Sequence, residues 1–187
     1  MRKLFVVLLA LTVCVAMPLM AQDKEMAKKD DMPAMPTPPA PLDDDFMNWM
    51  VGEWEGSSEH EGAMGKSEVW MKCEMGVDGQ FMMMEFKSKS AAMGQFTGRG
   101  AYTLDETGGI KAFWIDSFRD MGQGKGTREG DVMTMSWESK MGKGTRVTTK
   151  VSDDKMTGTG EWEMPNGMIM KDKTEMTRVK KTTDKSY

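Results

Sequence analysis

From Val51 onward the chain alternates between apolar and polar residues with a period of two, and glycine-containing turns interrupt this rhythm about every ten residues. A strand puts successive side chains on opposite faces, so this rhythm specifies half-buried strands joined by hairpins. Ten strands are predicted, near 52–60, 66–75, 79–89, 94–104, 109–118, 122–129, 131–138, 143–152, 155–164 and 167–179. The joints carry turn chemistry: Asp78-Gly79, Thr107-Gly108-Gly109, Glu129-Gly130-Asp131, Asp153-Asp154 and Pro165-Asn166-Gly167.

Joints this short leave no room for crossover helices, so each strand pairs with the next and the strands form a meander. Ten curled strands end most simply by closing, which removes both sheet edges. The expected fold is therefore all-β, a closed antiparallel up-and-down barrel of about ten strands. Glycines within strands (Gly98 and Gly100, Gly124 and Gly126, Gly142 and Gly144, Gly158 and Gly160) read as sites of sharp bending at barrel corners. Before the first strand, Asp43-Asp44-Asp45 followed by Phe46, Met47, Trp49 and Met50 reads as an acidic cap on a short helical turn that closes one end.

The N-terminus has the parts of an export signal: Arg2 and Lys3, an apolar run from Leu4 to Ala16, and Ala21 before a cleavage point at Gln22. Residues 1–21 are read as a signal peptide, 22–45 as a disordered linker rich in Pro, Met, Lys and Asp, 46–180 as the barrel domain and 181–187 as a flexible tail. The setting is periplasmic or extracellular. No stable membrane span is expected, since the first apolar run falls short of the ~20 residues a spanning helix needs. Lipidation at Cys14 is disfavoured because Val13 before it is branched. Removal of the signal leaves Cys73 alone, so packing rather than a disulfide holds the fold. The formal charge moves from −4 to −6 with the loss of Arg2 and Lys3, which argues against a nucleic-acid partner.

No glycine triplet extends to a nucleotide-binding fingerprint, and one histidine with one mature cysteine gives poor material for a triad or a zinc site. No cofactor, no metal site and no catalytic constellation is expected. His60 is in phase with Trp54, Gly56 and Ser58 and could face the lumen at a strand end. Methionine is over-used, with 24 residues, and an exported Met-rich chain raises the question of Cu(I). Core filling is the stronger reading, because after Leu42 the only leucine is Leu104, and alternation sends Met82-Met83-Met84 to opposite faces.

By alternation Trp54 falls in phase with Gly56, Trp114 with Asp116, Trp137 with Met133 and Met135, and Trp162 with Gly158 and Gly160, so these tryptophans are candidates for the interior, as lumen filler or as the wall of a ligand cavity. Asp116, Arg99 and Tyr102 are candidates for polar groups at its mouth. Asp172 is in phase with Met168, Met170 and Met176 and would need a buried partner, for which Arg178 on the same strand is a candidate. Joint acid–base work by Asp116 and Asp172 is the weaker alternative to solvated or structural roles.

Gly52-Glu53-Trp54 on the first strand, with Arg178 on the last, resembles the calycin signature of lipocalins and fatty-acid-binding proteins. The resemblance implies that Trp54 packs under Arg178 and that Gly52, Trp54 and Arg178 close the barrel base. A longer pattern, Phe96-x-Gly98-x-Gly100-x-Tyr102, then Asp105 and Trp114-Ile115-Asp116-Ser117, resembles the bacterial family named domain of unknown function 1579, over roughly 46–179. That resemblance implies a lipocalin-like barrel in a secreted or envelope setting and supplies no activity. The related nitrobindin-like barrels hold haem through a histidine late in the chain. Here there is none after His60, which argues against haem.

The expected function is binding of a small hydrophobic or amphipathic ligand in the barrel, without enzymatic activity. The alternatives are copper buffering by the methionines and a structural or protein-interaction barrel without a ligand. Oligomeric state is not legible in the sequence.

Overall fold

The computed structural model describes residues 37–62 and 65–180. The expected signal peptide, most of the proline-rich linker and the 181–187 tail lie outside the described residues. One short helix, α1 (Asp45–Met50), precedes ten strands: β1 (Gly52–His60), β2 (Gly65–Gly76), β3 (Phe81–Ser90), β4 (Gly94–Leu104), β5 (Ile110–Asp116), β6 (Met121–Glu129), β7 (Val132–Ser139), β8 (Gly142–Ser152), β9 (Lys155–Glu163) and β10 (Ile169–Arg178). Every strand pairs antiparallel with its sequence neighbour, and β1 pairs with β10 from Trp54↔Arg178 to His60↔Asp172, which closes the barrel. Among the described residues, no helix is long and apolar enough to cross a membrane.

Helix α1 starts where Asp44 accepts the Met47 N–H at 2.9 Å, the side-chain cap that satisfies one orphan donor of a first turn. The other Asp44 oxygen accepts from Arg128 Nε at 3.0 Å, which ties the cap to β6. Ahead of the helix, Leu42 N–H donates to Gly79 O at 2.8 Å and Gln80 Nε2 to Pro39 O at 2.9 Å, so residues 39–42 lie along the β2–β3 turn. In that turn Val77, Asp78 and Gly79 all take positive φ, and β3 begins at Phe81 rather than at 79.

The core fills the helix end of the barrel. Phe46, Met47 and Met50 of α1 pack on Trp54, Val69, Met71, Cys73, Met82, Tyr102, Ile110, Met133, Met135, Met156 and Met176, all nearly inaccessible to solvent. Methionine thus fills the positions leucine would normally hold, and its flexible thioether suits the irregular space under a helical plug. Met82 is fully buried while Met83 faces outward, in line with strand alternation.

The strand glycines have a second role beside any bending, and of those singled out by the sequence Gly142 alone takes a positive φ. Gly98, Gly100, Gly124, Gly144, Gly158 and Gly160 do not mark positive-φ bends; they point inward, and a large neighbour occupies the space that their side chains would fill. A Cβ at Gly124 would meet the Trp137 ring at 2.8 Å, and one at Gly144 would meet Trp162 at 2.6 Å. Trp114 covers Gly98 and Gly100 in the same way, and Asp172 with Arg146 covers Gly160. The register alternates accordingly: Gly124↔Trp137, Trp137↔Gly144, Gly144↔Trp162. Rings this large fit side by side within one barrel because glycine alternates with them around its circumference.

Candidate functional site

The two ends of the barrel differ. At the helix end Gly52, Trp54 and Arg178 meet: the Arg178 guanidinium lies 4.2 Å from the Trp54 ring centroid and donates to Val51 O at 2.7 Å and Trp49 O at 2.6 Å. Trp54 Nε1 donates to Met50 O at 2.9 Å. Gly52 has φ +135, and a Cβ there would lie 2.6 Å from Arg178 Nη1, so this position needs glycine on both counts. Trp54 is 0% exposed and belongs to the sealed base, which removes it from the candidates for ligand contact.

At the other end the inward-facing side chains are only partly covered. Trp114, Trp137, Trp162, Phe86 and Phe96 all point inward by register, yet each keeps solvent-accessible surface. Solvent therefore reaches the inward aromatic side chains at this end of the barrel. Tyr102, Trp137 and Trp114 form one aromatic chain, with centroids 5.9 and 6.4 Å apart and near-perpendicular rings. Phe86, Phe96 and Phe118 form a second that reaches the rim, at 6.3 and 5.8 Å. Tyr102 is the buried floor of the first chain, its hydroxyl 3.7 Å from Met84 Sδ, and is not a group at the mouth. Burial also pushes its phenol well above the usual tyrosine range.

A polar cluster sits on the wall made by β8, β10 and β1. Arg146 Nη1 donates to Asp172 at 2.7 Å and Nη2 to Thr174 Oγ1 at 2.8 Å; Thr174 donates to Ser58 Oγ at 2.9 Å. The Asp172 carboxylate is thus satisfied by Arg146 and by the Ser58 hydroxyl at 3.3 Å, and not by Arg178, which is occupied at the base. Arg146 reaches Asp172 across Gly160, the residue paired with both. His60 faces inward and shares a hydrogen bond of 3.1 Å with Ser67 Oγ. A cavity of about 910 Å³, open to solvent, runs along β8–β10 and is reached from inside by His60, Trp137 and Asp172. Most of its lining points outward, Lys143, Glu161 and Lys173 included, so it lies chiefly on the outer wall of the barrel and is no measure of the lumen.

The other sequence candidates separate. Arg99 points outward and pairs with Glu85 at 3.1 Å. Asp116 faces inward at the rim, where Oδ1 accepts the N–H groups of Phe118 at 2.8 Å and Asp120 at 3.2 Å, and β5 ends there rather than at 118. Among the described residues, Asp116 and Asp172 share no hydrogen-bond partner. Arg146, Ser58, Thr174, Phe86, Phe118 and Asp120 were not singled out by sequence; their signal was inward phase combined with hairpin register.

The rim carries exposed apolar side chains among its polar ones. Met93 in the β3–β4 turn, Phe118 and Met121 at β5–β6, Met141 at β7–β8, and Met168 with Ile169 at β9–β10 are all at least 40% exposed, and all lie at the open end.

A ten-stranded up-and-down barrel, plugged by a helix and closed by an arginine stacked on a first-strand tryptophan, is a lipocalin-like fold. Solved structures agree. The crystal structure of Rv2717c from M. tuberculosis aligns with TM-score 0.59 at 11% identity, over 72% of this chain and 95% of that one. The S-type phycobiliprotein lyase CPES from Guillardia theta aligns with TM-score 0.56 at 10% identity, over 73% and 92%. No family model matches the chain, and no curated protein matches it. At such identities the likeness is one of fold.

Proposed function

We propose that this is an exported, non-enzymatic barrel that binds a small apolar or amphipathic molecule in its upper lumen. The observation that carries the reading is the set of inward aromatics at the open end: Trp114, Trp137 and Trp162 turn inward and keep accessible surface, whereas Trp54, Met82 and Met135, nearer the helix, are sealed. Apolar walls with a few convergent polar groups are the usual make-up of a small-molecule site. The tryptophans supply the first, and Arg146 with Asp172, Thr174 and Ser58 supplies the second. The exposed apolar side chains of the rim favour the reading too, since an apolar ligand entering the lumen passes over surface it wets well. Export rests on the signal-like N-terminus.

Native mass spectrometry of the protein isolated without detergent from its own source tests this. The expected spectrum shows a small-molecule adduct that is released on denaturation and lost in Trp137→Ala. A bare mass, together with no change in tryptophan emission on titration with medium-chain amphiphiles, overturns it.

A further inference from the structure

At the mouth of the lumen two carboxylates face each other across the last pair of β5 and β6. Ile115 pairs with Met121, and beyond it Asp116 N–H donates to Asp120 O at 3.2 Å, so Asp116 and Asp120 are cross-strand neighbours on the inward face. Like charges directly opposite each other on one face of a sheet are destabilising. Asp120 is 5% exposed, and its Oδ1 is buried with no hydrogen-bond partner among the described residues. Its side chain makes no ion pair there either. Lys140, which reaches this turn, donates its ammonium group to the Arg119 carbonyl at 2.7 Å. A buried carboxylate oxygen without a donor is costly, and a polar group left this way in a fold marks a place where a partner belongs.

The neighbours indicate the partner's chemistry. Trp114 is two residues before Asp116 on the same face, and Phe96 is two residues before Gly98, the register partner of Asp116, with its ring 5.8 Å from that of Phe118. Aromatic faces beside carboxylates suit an organic ammonium group, which gains from both charge and ring quadrupole. A bare metal ion is served less well: Asp116 Oδ1 already accepts two backbone N–H groups, and among the described residues no three His, Cys, Asp or Glu side chains are placed to hold one.

We propose that the lumen ligand carries a cationic ammonium group, which Asp120, assisted by Asp116, takes up at the mouth while the apolar part lies along Trp114 and Trp137. This inference rests on the lumen-binding reading and names the class of ligand for it. The test compares decyltrimethylammonium, decanol and decanoate, each below its micelle concentration, by tryptophan-emission titration at neutral pH. The ammonium compound is expected to bind about tenfold more tightly than the other two. Asp120→Asn should reduce that preference to about threefold or less and leave decanol binding unchanged. Asp116→Asn, whose role is secondary, should give a smaller reduction and serves as the test if Asp120→Asn does not fold. If decanol binds and decyltrimethylammonium binds no more tightly, or if the preference survives both substitutions, the ammonium site is wrong and lumen binding stands. If none of the three binds, lumen binding fails and the ammonium site fails with it.

Discussion

The Arg178 guanidinium stacks 4.2 Å from the centroid of the Trp54 ring while two of its nitrogens bond the carbonyls of Val51 and Trp49. One side chain on the last strand therefore holds the first strand and the end of α1 together. A desolvated cation–π contact and two charge-assisted hydrogen bonds are lost together in Arg178→Ala, and the cost should be about 3 kcal/mol. Arg178→Lys keeps the charge but lacks the planar fork that reaches both carbonyls, so it should recover less than half of that loss. Urea unfolding midpoints of the three proteins, at equal m-value, check the order.

Glycine beneath tryptophan is the second relationship that shapes the interior. Gly124→Ala would place a methyl group 2.8 Å from the rigid Trp137 ring, and overpacking of this kind costs about 1 to 3 kcal/mol. In a Trp137→Leu background the same alanine should cost about 1 kcal/mol less, because the group it collides with is gone. A double-mutant cycle by chemical denaturation measures the coupling, and additive effects would show that the ring does not lie on Gly124.

Such couplings show where the sequence was legible and where it was not. The strands could be read because alternation and turn residues are local signals, and the joint at Gly130-Asp131 places Glu129 opposite Val132. Counting back from that pair puts Gly124 opposite Trp137, so the pairing was available in the hairpin register. Read one strand at a time, however, a glycine shows only a missing side chain and not the neighbour that fills its place. The partner of Asp172 was hidden for the same reason: Arg146 sits two strands away across Gly160, and only the combined registers of two hairpins bring it there. Asp116 illustrates a different limit. Its inward phase was readable, but its side chain turns to cap the β5–β6 turn, an outcome set by loop geometry and not by periodicity.

Cys73 provides a chemical probe of the sealed base. It is 1% exposed, and burial pushes its thiol from the ordinary 9.0 up to about 12. The unfolded chain releases the thiol proton from about pH 9, whereas the folded chain retains it until about pH 12. Over that window the native state binds more protons, so the Cys73 contribution makes stability fall as pH rises, by about 1.4 kcal/mol per pH unit. Cys73→Ala should have a lower stability at neutral pH from the lost packing, but a shallower decline in alkali than the parent. The measurement is the difference between the two stability–pH curves. A parallel decline would place the thiol in contact with solvent.

Asp172 and Arg146 form the polar counterpart of the tryptophan wall, and their interdependence can be separated from any role in ligand contact. The Asp172 side chain is 9% exposed and that of Arg146 is 28% exposed, so removing the carboxylate leaves a mostly covered guanidinium with only the Thr174 hydroxyl as partner. Breaking one member of a buried pair costs about 3 to 5 kcal/mol, and the partial exposure of Arg146 puts Asp172→Ala near the lower bound, at about 3 kcal/mol. Replacing both by apolar residues of similar volume, Arg146→Met with Asp172→Leu, removes the uncompensated charge along with the attraction and should restore most of that loss. The double variant would also leave Ser58 and Thr174 bonded to each other, as they are at 2.9 Å, so no new buried hydroxyl is orphaned. Thermal unfolding of the two variants decides the matter: a double variant no more stable than Asp172→Ala would mean that the pair is held for its net attraction rather than for mutual neutralisation.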